Sequence, residues 1–243
     1  MRIYYPDKID KIIEIKNSRF HKIASVLRMN LEDKIEIFDG KGKSYNSEII
    51  SISKKSLKLK ILSENKSEII DSLPEIHLAF SIVKPSRFEI AVEKTTEIGV
   101  HSIIPLVTEY TNRIHVNMFS KSRLKRFESI SISAAEQCGT NYIPSIENPK
   151  ILTDLIKSDN NEDIRKILFY ENLISNDVVI KNPKKNKKIL IVIGPEGGFS
   201  ENELSLVEQS DFEIKSLGNN ILRAETAAIC AVNNVNLFIN SAQ

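Results

Sequence analysis

An apolar segment that leads directly into a glycine-rich loop and a helix start constrains this chain more than any other part of it. Residues 189–193 read Ile-Leu-Ile-Val-Ile, which is typical of a strand buried on both faces. The loop that follows is Gly194-Pro195-Glu196-Gly197-Gly198. Ser200 and Glu203 then have the spacing of a capping box, which opens a helix. In a parallel sheet such a loop lies where ligands bind, although a simple tight turn has the same composition.

Strands and helices alternate throughout the larger, later part of the chain. Apolar runs predict further strands over 76–83, 100–107, 164–169 and 214–217. Helical spacing predicts helices over 86–98, 120–138 and 223–239. Gly99 is the expected C-terminal cap of the first of these helices, and the alanines of the last one allow close packing against another backbone. The alternation predicts an α/β domain with a parallel sheet over residues 73–243.

The front of the chain has a different pattern, in which short strands surround one helix. Strands are predicted over 2–5, 11–15, 34–38, 44–53 and 56–63, and a helix over 18–27 with Ser18 as its N-cap. The turn Asp39-Gly40-Lys41-Gly42 is expected to join two of the strands as a hairpin. We therefore predict a small, closed or half-closed β-barrel over residues 1–72, with the domain boundary near 71–75.

Composition is that of a globular chain, with 41% hydrophobic and 27% charged residues. No apolar stretch approaches the roughly 20 residues of a membrane-spanning helix, and the start of the chain lacks a secretory signal. We expect a cytoplasmic protein with no membrane partner. The two cysteines, Cys138 and Cys230, cannot form a disulfide framework and are predicted to be small buried residues.

The net charge of +2 is unevenly distributed. Residues 1–70 hold 15 Lys and Arg against 10 Asp and Glu, whereas the remainder holds 19 against 22. A basic front is compatible with nucleic-acid binding, and equally with a solvated lysine surface. The lysine-rich stretch 181–188 is read as a solvated loop, with contact to an anionic partner as the alternative.

The sequence does not contain several common nucleotide-binding, hydrolase and metal-binding motifs. The glycine loop lacks the lysine of a P-loop and does not fit Gly-x-Gly-x-x-Gly, and its Glu196 suits a neutral or cationic ligand, such as a sulfonium, better than a phosphate. No Gly-x-Ser-x-Gly elbow is present. The four histidines have no metal-ligand spacing, so we expect no metal site.

A second bend, at Leu217 and Gly218, also precedes a helix, and we expect it to meet the bend at Gly194.

Taken in order, these segments resemble the SPOUT class of methyltransferases, in particular the bacterial 16S ribosomal RNA uridine-N3 methyltransferase family (RsmE type). The similar motifs are Arg28-Met29 with Phe38-Asp39-Gly40 at the front, then Lys84-x-x-Arg87, Ala134-Ala135-Glu136-Gln137-Cys138, Gly194-Pro195-Glu196-Gly197-Gly198 and Ile221-Leu222-Arg223-x-Glu225-Thr226-Ala227. The resemblance implies a PUA-like RNA-binding barrel, a trefoil knot near the C-terminus, a homodimer and S-adenosylmethionine as cofactor. Ribosomal RNA of the small subunit is the implied partner.

The resemblance also implies residue roles. The implied cofactor-binding residues are Gly194, Pro195, Glu196, Gly197, Gly198, Leu217, Gly218, Ile221, Leu222 and Arg223. The implied RNA-binding residues are Arg2, Arg19, Arg28, Lys84 and Arg87. Because uridine N3 carries a proton, methylation needs a base or a cation that favours its loss, and we assign Arg223 the electrostatic role and Glu196 the role of base.

Three positions depart from the family pattern. Thr140, Tyr142 and Tyr110 stand where the family tends to carry arginine. These departures bear on RNA binding and on substrate identity. Two alternative functions therefore stay open: an enzyme of the same class that acts on another RNA nucleotide, and an inactive RNA-binding or ribosome assembly factor.

Overall fold

The structure is a computed structural model that describes residues 1–66, 73–158, 163–171 and 187–241. The predicted boundary near 71–75 and the predicted loop over 181–188 lie partly outside the described residues. The chain forms two compact units, Met1–Asp71 with Ala135–Ile143, and Ser72–Ala134 with Pro144–Gln243. Among the helices in these ranges, none combines the length and the apolar character that a bilayer crossing needs.

A single five-stranded sheet forms the first unit, in the order β1-β3-β4-β5-β2. Its strands are β1 (Arg2–Tyr4), β2 (Ile12–Lys16), β3 (Lys34–Phe38), β4 (Lys43–Ile52) and β5 (Ser56–Lys66). β1 runs parallel to β3, and the other pairs are antiparallel. Because isoleucines and leucines from all five strands meet in one buried core, the sheet curves around that core. The pairing leaves β1 and β2 as edges, as in a half-closed barrel.

The helix of the first unit differs from its prediction. The helix α1 (Asn17–His21) continues directly as a π-helical turn, Lys22–Val26. Its N-cap is Lys16, which makes no side-chain cap, so the prediction of Ser18 as N-cap is wrong. Asn17 starts the helix one residue early in the left-handed region, with φ +59°, a conformation that asparagine tolerates better than most residues.

The second unit contains a seven-stranded sheet in which every pair is parallel, as predicted. The strand order is β12-β10-β11-β6-β7-β8, and β9 also pairs with β7. The strands are β6 (Glu75–Ser81), β7 (Ser102–Val107), β8 (Ser145–Ile146), β9 (Lys150–Ile151), β10 (Ile164–Phe169), β11 (Lys188–Ile193) and β12 (Phe212–Lys215). The helices are α2 (Pro85–Ile98), α3 (Arg113–Asn117), α4 (Lys121–Cys138), α5 (Leu152–Ser158), α6 (Glu201–Glu208) and α7 (Ala224–Ser241).

Successive residues of the central strands pack into two different cores. Ile189 and Ile191 face the core formed with α2, α4 and α7, whereas Leu190 and Val192 face the core formed with α5 and α6. The sheet is thus covered on both faces, which explains why its strands are almost wholly apolar. The predicted alanine face of α7 packs against α2, and the Asn236 amide donates to the Ile98 carbonyl at 2.7 Å. This packing fixes the start of α7 above the sheet.

Element ends and the two cysteines are the main corrections in residues 73–243. β12 ends at Lys215, two residues before its predicted end, so Ser216 and Leu217 belong to the following loop. The short elements α3, β8, β9 and α5 contain too few residues for a periodic pattern and were not predicted. Cys138 is exposed because it lies in the last turn of α4, and Cys230 is half-buried, so the prediction that both are buried is wrong.

Two histidines near the amino ends of β6 and β7 are expected to make the free energy of unfolding depend on pH. The His101 Nδ1 atom accepts the Ile76 N–H at 3.2 Å, and the His77 Nδ1 atom lies 2.7 Å from the Ser102 hydroxyl. Burial lowers the pKa of both rings below the ordinary value of 6.5. The unfolded chain therefore binds more protons than the folded one just below that value, so the free energy of unfolding should fall as pH drops through this window.

Urea unfolding at several pH values between about 7.5 and 5 tests this expectation. The double variant His77→Gln/His101→Gln should lose much of the pH dependence, whereas the control His21→Gln, at an exposed ring, should keep it. If the free energy of unfolding of the double variant falls with pH as steeply as that of the wild-type protein, the assignment of the pH dependence to His77 and His101 is wrong.

Candidate functional site

A pocket opens where β10 and β12 end and α7 begins. It lies at the carboxyl edge of the parallel sheet, where α/β proteins bind ligands. The lining residues are Phe169, Tyr170, Glu171, Ser216, Leu217, Gly218, Asn220, Leu222 and Ala227. Apolar side chains with a few polar groups among them are typical of sites for small organic ligands.

Gly218 forms the turn on one side of the pocket. Its φ of +120° lies in the region that favours glycine, and a Cβ there would meet no atom within 4 Å. The Ser216 hydroxyl accepts the Gly218 N–H at 3.2 Å and donates to the Gly218 carbonyl at 3.1 Å, which holds the turn in this shape. The backbone is thus open to close approach by a ligand.

The glycine loop after β11 adjoins the same pocket from the other side of β10. A Cβ on Gly198, whose φ is +70°, would lie 3.0 Å from the Glu171 carboxylate. A Cβ on Gly194 would lie 2.9 Å from the Phe199 ring. Because β10 pairs with both β11 and β12, the bends at Gly194 and Gly218 flank the end of β10. The two glycine bends therefore meet around Tyr170 and Glu171, which line the pocket.

A buried carboxylate ties the glycine loop to the loop after β7. Ser200 and Glu203 form the predicted capping box, in which the Glu203 carboxylate accepts the Ser200 N–H at 3.0 Å. The same carboxylate accepts the Glu109 N–H at 2.9 Å. This second bond holds Tyr110 beside Gly197, with the Tyr110 Cβ atom 3.3 Å from the position of a Cβ on residue 197. The Tyr110 side chain is about half exposed at that edge.

Three charged residues form a cluster beside the glycine loop, which we call the Arg87 cluster: Arg87 at the start of α2, Glu196 in the glycine loop and Glu225 at the start of α7. The Arg87 guanidinium donates to Glu196 at 2.8 Å, and its Nε atom lies 3.7 Å from the Glu225 Oε1 atom. Glu225 is 8% exposed, and its Oε2 atom has no hydrogen-bond partner among the described residues. With two carboxylates and one guanidinium, the cluster carries a net negative charge, which suits a cationic ligand or an N–H donor.

The predicted cofactor residues divide between the pocket and its surroundings. Leu217, Gly218 and Leu222 line the pocket. Ile221 is 80% exposed and is not among the lining residues. The predicted loop residues Gly194, Pro195, Glu196, Gly197 and Gly198 are not among the lining residues, and Gly198 adjoins the pocket through Glu171.

The two predicted catalytic residues are not paired with each other. Arg223 is exposed at the start of α7 and forms no ion pair with the described residues. The cation that contacts Glu196 is Arg87, which the sequence placed only among the RNA-binding residues. Sequence reasoning also missed the lining residues at 169–171, although the end of a third strand at the carboxyl edge is a signal that could have found them.

The predicted RNA-binding residues differ in exposure. The Arg2 side chain is only 9% exposed, lies over the Phe38 ring at 4.4 Å and donates to Asn141, and burial lowers its pKa. Arg19 lies over the Tyr4 ring at 5.7 Å. Arg28 and Lys84 are exposed. Arg2 is therefore engaged in packing within the first unit.

Tyr142, one of the departures from the family pattern, also packs within the first unit. A Cβ on Gly42 would clash with the Tyr142 hydroxyl, and the Asn141 amide donates to the Gly42 carbonyl at 3.1 Å. Tyr142 thus contacts the hairpin turn between β3 and β4. In the part of the chain that the structure describes, no group of His, Cys, Asp and Glu side chains could hold a metal ion.

Comparison with known proteins identifies the class. Residues 71–236 match a family model described as an RNA methyltransferase domain, and residues 15–62 match one described as an RNA methyltransferase PUA domain. The chain is therefore an RNA methyltransferase family member in which a PUA domain precedes an α/β domain with a parallel sheet.

Individual relatives narrow the class. The chain is 35% identical, over 95% of its length and 93% of the relative, to the ribosomal RNA small subunit methyltransferase E of Buchnera aphidicola subsp. Schizaphis graminum. It is 31% identical to the protein of that name from Rickettsia conorii, over 98% of this chain and 95% of the relative. The chain belongs to the ribosomal RNA small subunit methyltransferase E family, which confirms the resemblance found in the sequence.

A solved structure supports the same relationship. The crystal structure of a ribosomal RNA small subunit methyltransferase E from Neisseria gonorrhoeae, bound to S-adenosylmethionine, matches with a TM-score of 0.83 at 28% identity. The match covers 95% of this chain and 94% of that one.

Proposed function

We propose that this protein transfers a methyl group from S-adenosylmethionine to N3 of a uridine in 16S ribosomal RNA of the small subunit. The observation that carries the proposal is the pocket at the ends of β10 and β12, flanked by two glycine bends, in a chain of the ribosomal RNA small subunit methyltransferase E family. The Neisseria gonorrhoeae relative, which is described as bound to S-adenosylmethionine, supports the same cofactor here. We expect the enzyme to act in the cytoplasm, on small subunits or their RNA.

The chemistry of the pocket lining suits the cofactor. Leu217, Leu222 and Ala227 offer apolar surface for a flat adenine ring, and the open backbone at Gly218 allows close approach. The residues at 194–198 would lie toward the ribose and methionine side. The net negative charge of the Arg87 cluster favours a sulfonium cation nearby. When bound, the cofactor supplies an activated methyl group.

RNA recognition is proposed for both units. The PUA domain is an RNA-binding module of this enzyme class, and its exposed Arg28, together with Arg19, could contact phosphates. Lys84 and Arg87, at the start of α2, would contact RNA close to the reacting base. We leave Arg2 out of this surface because its side chain is buried.

The chain's own contribution to the reaction is alignment and charge. Methyl transfer to a ring nitrogen is an in-line displacement, so rigid placement of the two reacting groups lowers the barrier. Glu196, exposed in the glycine loop, accepts the N3 proton in this proposal. Arg223, at the mouth of the last loop, favours the deprotonated base by its charge.

The variant Arg223→Ala tests whether Arg223 acts in catalysis rather than in cofactor binding. We expect turnover on RNA to fall about tenfold to a hundredfold, because charge stabilisation near the base is lost, while the affinity for S-adenosylmethionine changes little. Steady-state kinetics on small subunits and calorimetry with the cofactor measure the two effects. An unchanged turnover would remove Arg223 from the mechanism.

We also propose the trefoil knot and the homodimer that the family resemblance implies. β12 lies at the sheet edge beyond β10, yet α7 packs against α2, β6 and β11 further along the sheet, so the connection at 216–223 must cross back over the edge. That crossing is compatible with a threaded C-terminus. Exposed apolar side chains on the paired helices, Ile90 on α2 and Leu237 on α7, favour a second copy of the chain as their cover. Analytical ultracentrifugation tests the dimer.

The central experiment is incubation of the protein with S-adenosylmethionine and unmodified small subunits, followed by nucleoside mass spectrometry. We expect 3-methyluridine at one position of 16S ribosomal RNA. A different methylated nucleoside would support the alternative enzyme of the same class. Absence of any product, together with no cofactor binding by calorimetry, would support the inactive assembly factor.

A further inference from the structure

We infer that Glu225 is a positioning residue that competes with Glu196 for Arg87, and that binding of the uridine moves Arg87 onto Glu225 and frees Glu196 as the base. The inference rests on the proposed function, which it deepens by assigning a task to two residues that the sequence did not place in catalysis. It depends on three observations within the second unit: a shared guanidinium, a buried carboxylate with an unfilled acceptor, and rigid elements that carry both.

The guanidinium of Arg87 is unequally shared in the described arrangement. Its Nη1 atom lies 2.8 Å from Glu196, whose side chain is 45% exposed, while its Nε atom is 3.7 Å from the Glu225 Oε1 atom. The first contact is a good hydrogen bond, and the second is too long for one. An ion pair to an exposed carboxylate contributes little net free energy, so the contact with Glu196 is easily given up.

A closer contact with Arg87 would stabilise Glu225 more than the present contact stabilises Glu196. Its side chain is 11% exposed, and its Oε2 atom is buried without a hydrogen-bond partner among the residues described. A buried, unsatisfied carboxylate oxygen is costly, and a planar guanidinium can satisfy both oxygens at once. A shift of Arg87 toward Glu225 would therefore replace a weak exposed pair by a buried bidentate one.

Both residues are carried by elements that do not need to move. Arg87 lies in the first turn of α2 and Glu225 in the first turn of α7, and these helices pack against each other. The helix N-terminus also favours a negative charge at Glu225. Only the long Arg87 side chain has to change rotamer, whereas Glu196 stays on the glycine loop beside the pocket.

With Arg87 on Glu225, the Glu196 carboxylate is free to accept a proton. The N3–H bond of uridine breaks, and its proton passes to a Glu196 carboxylate oxygen. The electron pair left on N3 forms the new bond to the methyl carbon, and the pair of the broken carbon–sulfur bond stays on sulfur. The sulfonium charge and the carboxylate charge are both neutralised, so no net charge develops.

The test is a double-mutant cycle on methyl transfer to small subunits. Glu225→Gln keeps the shape but removes the charge that attracts Arg87, and we expect kcat to fall about tenfold to a hundredfold with the Kd for S-adenosylmethionine unchanged within about twofold. Glu196→Gln should lower kcat at least as much. In the Glu196→Gln background, Glu225→Gln should have no further effect, because Glu225 acts only through Arg87 and Glu196.

Two further variants distinguish a positioning role of Glu225 from a general effect on the structure. Glu225→Asp keeps the charge on a shorter side chain and should recover part of the kcat that Glu225→Gln loses. Glu213→Gln removes the carboxylate of another Glu–Arg pair, with Arg165 at 2.6 Å, and should keep the wild-type kcat. Thermal unfolding of each variant checks that it folds.

The inference is overturned if the two Gln substitutions reduce kcat by independent factors, or if Glu196→Gln or Glu225→Gln retains the wild-type kcat. It is also overturned if Glu225→Asp is no better than Glu225→Gln. In each of these cases wild-type 3-methyluridine formation would leave the proposed function standing. Failure of the wild-type protein itself to form that product would instead contradict the proposed function.

Discussion

Replacement of Ala227 by leucine is expected to weaken binding of S-adenosylmethionine strongly without unfolding the protein. Ala227 lies on α7 and lines the pocket with Leu217 and Leu222. It is only half-buried, so a larger side chain can extend into the pocket rather than into the core. Affinity measured by calorimetry should fall at least about a hundredfold, which corresponds to about 2.7 kcal/mol.

A matched substitution on the same helix separates pocket filling from a general effect on α7. Asn233 is exposed on α7, so Asn233→Leu adds a comparable apolar side chain away from the pocket. We expect wild-type cofactor affinity in that variant. Near-wild-type affinity in Ala227→Leu, at an unchanged melting temperature, would show that the cofactor binds elsewhere and would contradict the assignment of the pocket.

Much of the fold could be predicted from the sequence because its strands and helices are long enough for their periods to appear. The strand at 188–193 is apolar at nearly every position since both of its faces are covered, and Gly99 caps α2 with φ +105°, which excludes most other residues. The capping box at Ser200 was also readable, because its two partners are three residues apart.

Element ends were less predictable, because pairing rather than pattern determines them. β12 stops at Lys215 since its partner β10 ends at Phe169, whereas the apolar Leu217 made the predicted strand two residues longer. Short elements such as β8 and β9 exist only through their bonds to β7. A two-residue strand carries no period of its own, so no local signal could have identified it.

The candidate site was even less predictable from the sequence than the element ends. Arg87 and Glu196 are 109 residues apart, and no spacing rule brings them together. The sequence motifs containing them point to two different tasks, RNA contact and cofactor binding. Only the packing of α2 and α7 next to β11 brings Arg87, Glu196 and Glu225 into one cluster. Chemistry that depends on such long-range pairs becomes visible only in the folded chain.

Glu203 is the residue whose loss should disturb the site most widely. Its buried carboxylate accepts N–H groups from Ser200 and from Glu109, and so joins the loops after β11 and β7. Glu203→Gln keeps the size but converts one oxygen into an NH2 group that faces an N–H donor. We expect a loss of about 2–3 kcal/mol in the free energy of unfolding, measured in urea.

Glu203→Gln should also lower the rate of methyl transfer, because the loops of Tyr110 and Gly197 lose the hydrogen bond that holds them together. Methyl transfer should therefore fall even at temperatures where the protein stays folded. Glu201→Gln is the matched control, since Glu201 lies exposed in the same first turn of α6 and makes no bond to either loop. If both variants unfold and react like the wild-type protein, then the Glu203 carboxylate does not hold the two loops, and the position of Tyr110 must depend on other contacts.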